Sequence, residues 1–371
     1  MIEKISPLLC PPGNGVFAVN TGKKEREKIH DLLYGTIHEN EVEKKWKDEL
    51  LKLPTRPDLP VLLGVCSDCG GGEQKGANWG PLFLRQDFYE LAQKKIKEQI
   101  IDIGDIKIIP HLLHDKYLNE ETLKSCRLGL YKDERSLLPV SPLSMTEYVL
   151  QQIYNENPTR KVLILGGDHS ISYPAIKTFL EAKKRAKIKP AIIHFDAQTD
   201  LLAERTGLDI CFHSWCSSLL ADLPSPDHLI QIGIRSSQNP KKYWEKNFGV
   251  KQYWAEDFFN EGTSVIAKKV INELKIKKVD EIYITFDINA LDITEASATG
   301  VPTPGGLKTH DCLTLLRAIE KSFPITGCNL MEVAPFVNIP NDTAQVTPEP
   351  QGTLMSAEAL INFFLDSISE N

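Results

Sequence analysis

Residues 161–170 read KVLILGGDHS: an apolar run that stops at two glycines and then delivers an aspartate, a histidine and a serine. A short apolar run closed by turn residues reads as a buried strand, so Asp168, His169 and Ser170 stand at its carboxyl end. The same arrangement recurs three times. Residues 191–195 run into Asp196, Gln198 and Asp200, residues 281–286 into Asp287, Asn289 and Asp292, and residues 326–331 into Glu332. Further apolar runs lie at 60–66, 99–103 and 229–234. Amphipathic segments at 80–99, 144–155, 173–185, 263–274, 308–323 and 356–368 separate the runs. Strands alternating with helices of that length imply βαβ units and a parallel sheet. Strands that are apolar throughout, rather than at alternate positions, imply helices on both faces. The fold class expected is α/β, three-layer α/β/α, with a mainly parallel central sheet.

Residues 1–59 are charged and broken by prolines, with a polar helix expected at 22–52, and are read as an N-terminal extension. One domain is expected from 60 to 371, with 108–138 poorly periodic and read as a long loop or a lobe edge. The 371 residues carry 50 acidic and 43 basic side chains, a net charge of −7. That argues against nucleic acid as partner. No apolar run reaches the roughly 18 residues of a membrane span. The opening MIEKISPLLCPPGNG has no cationic stretch followed by a long apolar core, so the expectation is a cytoplasmic chain. There its eight cysteines are free thiols. Cys66 and Cys69 form a C-x-x-C without a second pair, which supports neither zinc nor redox chemistry. Gly70–Gly72 matches no nucleotide loop.

An open parallel sheet binds its ligand beyond the carboxyl ends of its strands. Four strand ends here supply one imidazole and several carboxylates. Gathering those anions is costly without a cation, and mixed His/Asp donors suit a Mn²⁺-type ion better than a thiolate-seeking one. Singly, each of these residues reads as a cap or turn former; together they read as a site.

These strings, in this order, resemble the ureohydrolase family of arginases, agmatinases and formiminoglutamases, over residues 61–365. GGDHS at 166–170 is identical to the family's string. FDAQTD at 195–200, the long TFDINALDITEASATGVPTPGGL at 285–307 and MEVAP at 331–335 resemble its later motifs. LGV at 63–65, GANWGP at 76–81 and DIGD at 102–105 resemble its opening ones. The resemblance implies a pair of Mn²⁺ ions, and it implies His169, Asp196, Asp200 and Asp287 as ligands of the first. The second would share Asp196 and Asp287 and add a histidine and an aspartate. This chain has Gln198 and Asn289 at those two places. The three surviving carboxylates are left with one net negative charge by one divalent ion and one net positive charge by two. The expectation is one ion, with the second position weak or empty. Two alternatives stay open: coordination by the amide oxygens of Gln198 and Asn289, or complete loss of metal.

The resemblance also implies hydrolysis of a guanidino or amidine C–N bond in a small-molecule substrate. Asp200 would take a proton from the attacking water. Glu332 would ion-pair with the planar cation, and His213 would shuttle protons or touch substrate. Asp292 is expected to hold its own loop. Residues 201–212 lack an arginase-like pattern, and Arg205 could meet an acidic substrate tail or be a solvated charge. By resemblance the chain is a homo-oligomer, a trimer or hexamer. The rival reading is a catalytically silent relative that binds a ligand or a partner subunit.

Overall fold

The computed structural model describes residues 1–16, 21–96, 98–337 and 350–370. Residues 338–349 and Asn371 of the domain drawn from 60 to 371 lie outside them. So does Lys97, near the end of the helix expected at 80–99. Among the described residues there are nine strands: β1 (Leu9–Cys10), β2 (Val61–Val65), β3 (Ile101–Ile106), β4 (Val162–Gly166), β5 (Pro190–Phe195), β6 (Leu229–Ile232), β7 (Lys251–Tyr253), β8 (Glu281–Asp287) and β9 (Ile325–Met331). They form one sheet in the order β1-β3-β2-β4-β9-β8-β5-β6-β7. Every pairing is parallel except β1 with β3. Helices at Gly80–Ile96, Pro142–Glu156, Ser172–Ala186, Thr263–Ile276, Thr309–Glu320 and Pro350–Glu370 connect and cover it as a three-layer α/β/α fold.

The chain passes from β4 to β5 without pairing them, because β9 and β8 insert between. The order of strands therefore reverses across β4-β9-β8-β5. A crevice opens at such a reversal beyond the strand ends. Asp287 ends β8, Asp196 and Glu332 directly follow β5 and β9, and His169 stands three residues beyond β4. The sheet holds them in place through a core of wholly buried Leu163, Leu165, Ile193, Ile284 and Leu330. At roughly 1.5–3 kcal/mol for each such side chain, that packing fixes the strand ends from which the site residues project.

Several expectations need correcting. The polar helix at 22–52 is two helices, Lys23–Tyr34 and Glu39–Leu50, because Gly35 turns left-handed (φ 63°) and caps the first. The loop at 108–138 contains a helix, Glu120–Tyr131, started by Asn119 accepting the Thr122 N–H. None of its residues is fully buried; Leu123, Cys126 and Leu130 are only half-covered. Strands β1 and β7 are too short to stand out as apolar runs.

The described residues of the first 59 pack into the core through Ile5, Leu8, Ile29, Trp46 and Leu50. Strand β1 lies against β3 where Gly104 (φ 89°) has no side chain; a Cβ there would sit 2.0 Å from the Cys10 carbonyl oxygen. Asp105 accepts the backbone N–H of Gly13 (2.8 Å) and of Gly15 (2.9 Å). Arg85, fully buried, pairs with Asp105 and, at 2.9 and 3.0 Å, with Asp102. The DIGD string at 102–105 thus supplies a structural ion network.

Candidate metal centre

Three carboxylates turn the same oxygen toward one nitrogen. Nδ1 of His169 lies 3.0 Å from Asp196 Oδ2, 3.2 Å from Asp200 Oδ2 and 3.3 Å from Asp287 Oδ2. All four side chains are buried. Each carboxylate's other oxygen is already held. Asp196 Oδ1 accepts the Gln198 N–H (2.8 Å), Asp287 Oδ1 accepts the Asn289 N–H (2.7 Å), and Asp200 Oδ1 faces His213 Nδ1 (3.3 Å). His169 is aimed through its far nitrogen, Nε2, which lies 3.2 Å from the Thr285 hydroxyl. Its near nitrogen makes no hydrogen bond of good geometry among the described residues. A buried Nδ1 without a proper partner, surrounded by three carboxylate oxygens, is a donor set that fits one divalent cation.

The electrostatics agree. Burial alone would keep His169 neutral, but Asp196, Asp200 and Asp287 together raise it well above the ordinary imidazole range. Burial and the neighbouring Asp196 charge push Asp287 up to about 7. Asp200 stays below the usual carboxylate range: burial opposes this, but His169 and His213 prevail. With no metal, protons do the work of a cation. Asp200 (φ 52°) and Glu332 (φ 64°) also hold left-handed backbone, a conformation that costs non-glycine residues of order 1–3 kcal/mol and clusters at functional sites.

The second position is different. Asn289 Oδ1 accepts the Ala197 N–H at 3.0 Å, so its NH₂ faces Gln198 and donates to Oε1 at 2.9 Å. Both amide oxygens are engaged by donors inside the protein. A neutral amide oxygen is also a poorer ligand for a Mn²⁺-type ion than imidazole or carboxylate.

Comparison with protein families matches residues 60–349 to the arginase family. The chain belongs to the arginase family. It is 29% identical to an agmatinase of Blochmanniella floridana, over 81% of this chain and 87% of that one. It is also 29% identical to a formimidoylglutamase of Halalkalibacterium halodurans, over 76% and 82%. Among solved structures it is similar to the formimidoylglutamase of Bacillus subtilis (TM-score 0.63, 23% identity, 84% of this chain and 88% of that one). Arginase-family members are hydrolases of guanidino or amidino C–N bonds, not of peptide bonds, and their centre is typically a pair of Mn²⁺ ions.

Within this arginase-family chain, His213 and Asp200 line a cavity of about 440 Å³ together with Gln198, Arg205, Ser237 and Trp244. Arg205 lies 5.4 Å above the Phe212 ring, which in turn stacks on His213 at 3.8 Å. Glu332 is not among the lining residues. It is buried, one oxygen accepting the His169 N–H at 2.9 Å. Burial and the charges of Asp287, Asp168 and Asp68 raise it well above the carboxylate range. Asp292 accepts the N–H groups of Thr294, Gly305 and Gly306 (3.1, 2.7 and 3.0 Å) and so ties its own loop.

Two neighbours escaped the sequence reading. Trp215 donates its indole N–H to Asp200 Oδ2 at 2.6 Å and lies 4.8 Å from the His169 ring. His194 lies 3.0 Å from Asp196 Oδ2; with His169, Asp196 and Asp200 it forms a buried group whose potential ligand atoms lie within 4.8 Å of one another. A histidine inside the otherwise apolar run at 191–195 was its signal. No helix among the described residues is long and apolar enough to cross a membrane.

Proposed function

We propose that this arginase-family hydrolase cleaves a linear guanidino or amidine C–N bond with one divalent ion, Mn²⁺, held by His169, Asp196, Asp200 and Asp287. The observation that carries this reading is the convergence of three Oδ2 atoms on His169 Nδ1. Beside it, Gln198 and Asn289 close on each other. A divalent ion in such a set lowers the pKa of water so that a nucleophile exists near neutral pH. Asp200, kept ionised by its two histidines, accepts the proton of the attacking water. His213 lines the cavity beside Asp200, its Nδ1 3.3 Å from Asp200 Oδ1, and passes that proton toward the leaving nitrogen. Glu332, costly to ionise where it lies, becomes a carboxylate when a planar cation offers it paired N–H donors.

Arg205 is a cation on the cavity wall. It favours a substrate with an acidic tail, a guanidino acid or formiminoglutamate, over the cationic agmatine. The test is to load purified chain with Mn²⁺ and offer arginine, agmatine, guanidinobutyrate, formiminoglutamate and guanidine. Urea, ammonia or formamide released from an acidic-tailed compound supports the reading. Arg205→Ala should then raise KM several-fold with kcat retained.

A second reading has its own observation. The Trp215 N–H at 2.6 Å engages the same Asp200 oxygen that faces His169, which favours a silent, ligand-binding relative. Metal uptake with no product from any of the five compounds would select it.

A further inference from the structure

Five strands carry a polar side chain at one level of the sheet, and the register sets these side by side. Asn329 on β9 pairs with Thr285 on β8, Thr285 with His194 on β5, His194 with Gln231 on β6, and Gln231 with Gln252 on β7. All five are buried. Left without partners, each would cost about 1–3 kcal/mol. On the β5 side the direction of their bonds can be deduced. An indole N–H only donates. Trp254 Nε1 donates to Gln252 Oε1 at 2.9 Å, so the NH₂ of Gln252 faces Gln231 and donates to its Oε1 at 2.7 Å. The NH₂ of Gln231 then faces the other way, donating to the Thr199 carbonyl (2.6 Å) and to His194 Nδ1 (3.0 Å). With Nδ1 an acceptor, the ring hydrogen sits on Nε2, 3.0 Å from Asp196 Oδ2.

The geometry points to His194 as a positioning residue. It is held as the Nε2–H tautomer by a one-way chain from Trp254, and it donates to Asp196 Oδ2, fixing that oxygen on the point shared with His169, Asp200 and Asp287. Although its ring lies within reach of the ligand atoms, its inward nitrogen carries a hydrogen, so it orients a ligand instead of being one. Its consequence for metal rests on the reading above; the tautomer does not. Partners that hold a ligand are worth about 10–100-fold in metal affinity.

The test uses the full chain labelled with ¹⁵N-histidine, with the His194 signals assigned by their loss in His194→Gln. Correlating ring nitrogens with ring hydrogens should show Nε2 protonated and Nδ1 bare. Gln231→Met removes the amide that donates to His194 Nδ1 and should shift both His194 nitrogens toward a mixture of tautomers; Trp254→Phe removes only the indole N–H and should free Gln252 while the Thr199 carbonyl still holds the Gln231 NH₂. Mn²⁺ affinity should fall about 10–100-fold in His194→Leu and stay within about threefold in His194→Gln, which can still present an N–H. A hydrogen on Nδ1, or unchanged shifts in Gln231→Met, overturns the proposal. So does an equal loss of affinity in the Leu and Gln variants. If the unmutated chain takes up no Mn²⁺, the metal reading fails, and the ring spectrum still decides the tautomer.

Discussion

Asn289 donates from Nδ2 to Gln198 Oε1 across 2.9 Å, joining the loop after β8 to the loop after β5. In a two-ion arginase-family centre a cation would tie these loops together. Here a neutral hydrogen bond does so, and the Ala197 N–H engages the remaining amide oxygen. Gln198 also reaches the Thr303 hydroxyl at 3.5 Å. On the reading proposed above, this bond takes the place of the second ion, while the three Oδ2 atoms still converge on His169 Nδ1.

Undoing the clamp should restore the lost position. Gln198→His together with Asn289→Asp returns an imidazole and a carboxylate, both better ligands for a Mn²⁺-type ion than an amide oxygen. Elemental analysis should show metal content rising from one toward two ions per chain. A double variant that still holds one ion would mean that other side chains have closed the space.

Binding should depend on pH with a definite sign. In the metal-free fold Asp287 is raised to about 7, and His169 is raised well above its ordinary range. Both therefore hold protons that the unfolded chain would release. Their contribution to stability is complete below the ordinary values and is lost as pH climbs through the raised ones. A cation competes for the same atoms. Mn²⁺ affinity should strengthen as pH rises from about 5 to about 8, with protons released on binding. Calorimetric titration near pH 6 in buffers of differing ionisation heat measures that release. Affinity independent of pH would contradict the assignment.

Asp196 is the proposed ligand on which most depends, since its Oδ2 meets both His169 and His194. Asp196→Ala should abolish Mn²⁺ retention while far-ultraviolet circular dichroism stays native. Unchanged metal content would remove Asp196 from the site.

Much of this was legible in the sequence, for reasons visible in particular residues. Strands β4, β5, β8 and β9 are buried on both faces, so they read as unbroken apolar runs, and their polar ends stood out. His169, Asp196, Asp200 and Asp287 were found that way, and the structure brings them together. The Gln198–Asn289 bond was not legible, because 91 residues separate the partners. Trp215 reads as one more apolar residue until its N–H is seen on Asp200. The polar row was hidden too: Asn329, Thr285, His194 and Gln231 lie in strands taken as apolar throughout, and Gln252 in a strand too short to stand out. One polar residue per strand means little until register sets the five in line. How residues 1–59 attach was not legible for a different reason: the tie runs through strand β1 and the backbone N–H groups of Gly13 and Gly15, which no side-chain pattern reports.

That tie is itself testable. Arg85→Met leaves Asp102 and Asp105 buried without their cation. Removing one partner of a buried ion pair costs about 3–5 kcal/mol. The urea midpoint should fall accordingly while the folded protein still takes up Mn²⁺ in the same proportion. An unchanged midpoint would mean that the network is not what holds the N-terminal segment down.

The most direct test is the metal content of the purified chain after equilibration with excess Mn²⁺ and removal of unbound ion. The account predicts one ion per chain, retained by His169, Asp196, Asp200 and Asp287. Two ions per chain, or none, would contradict it.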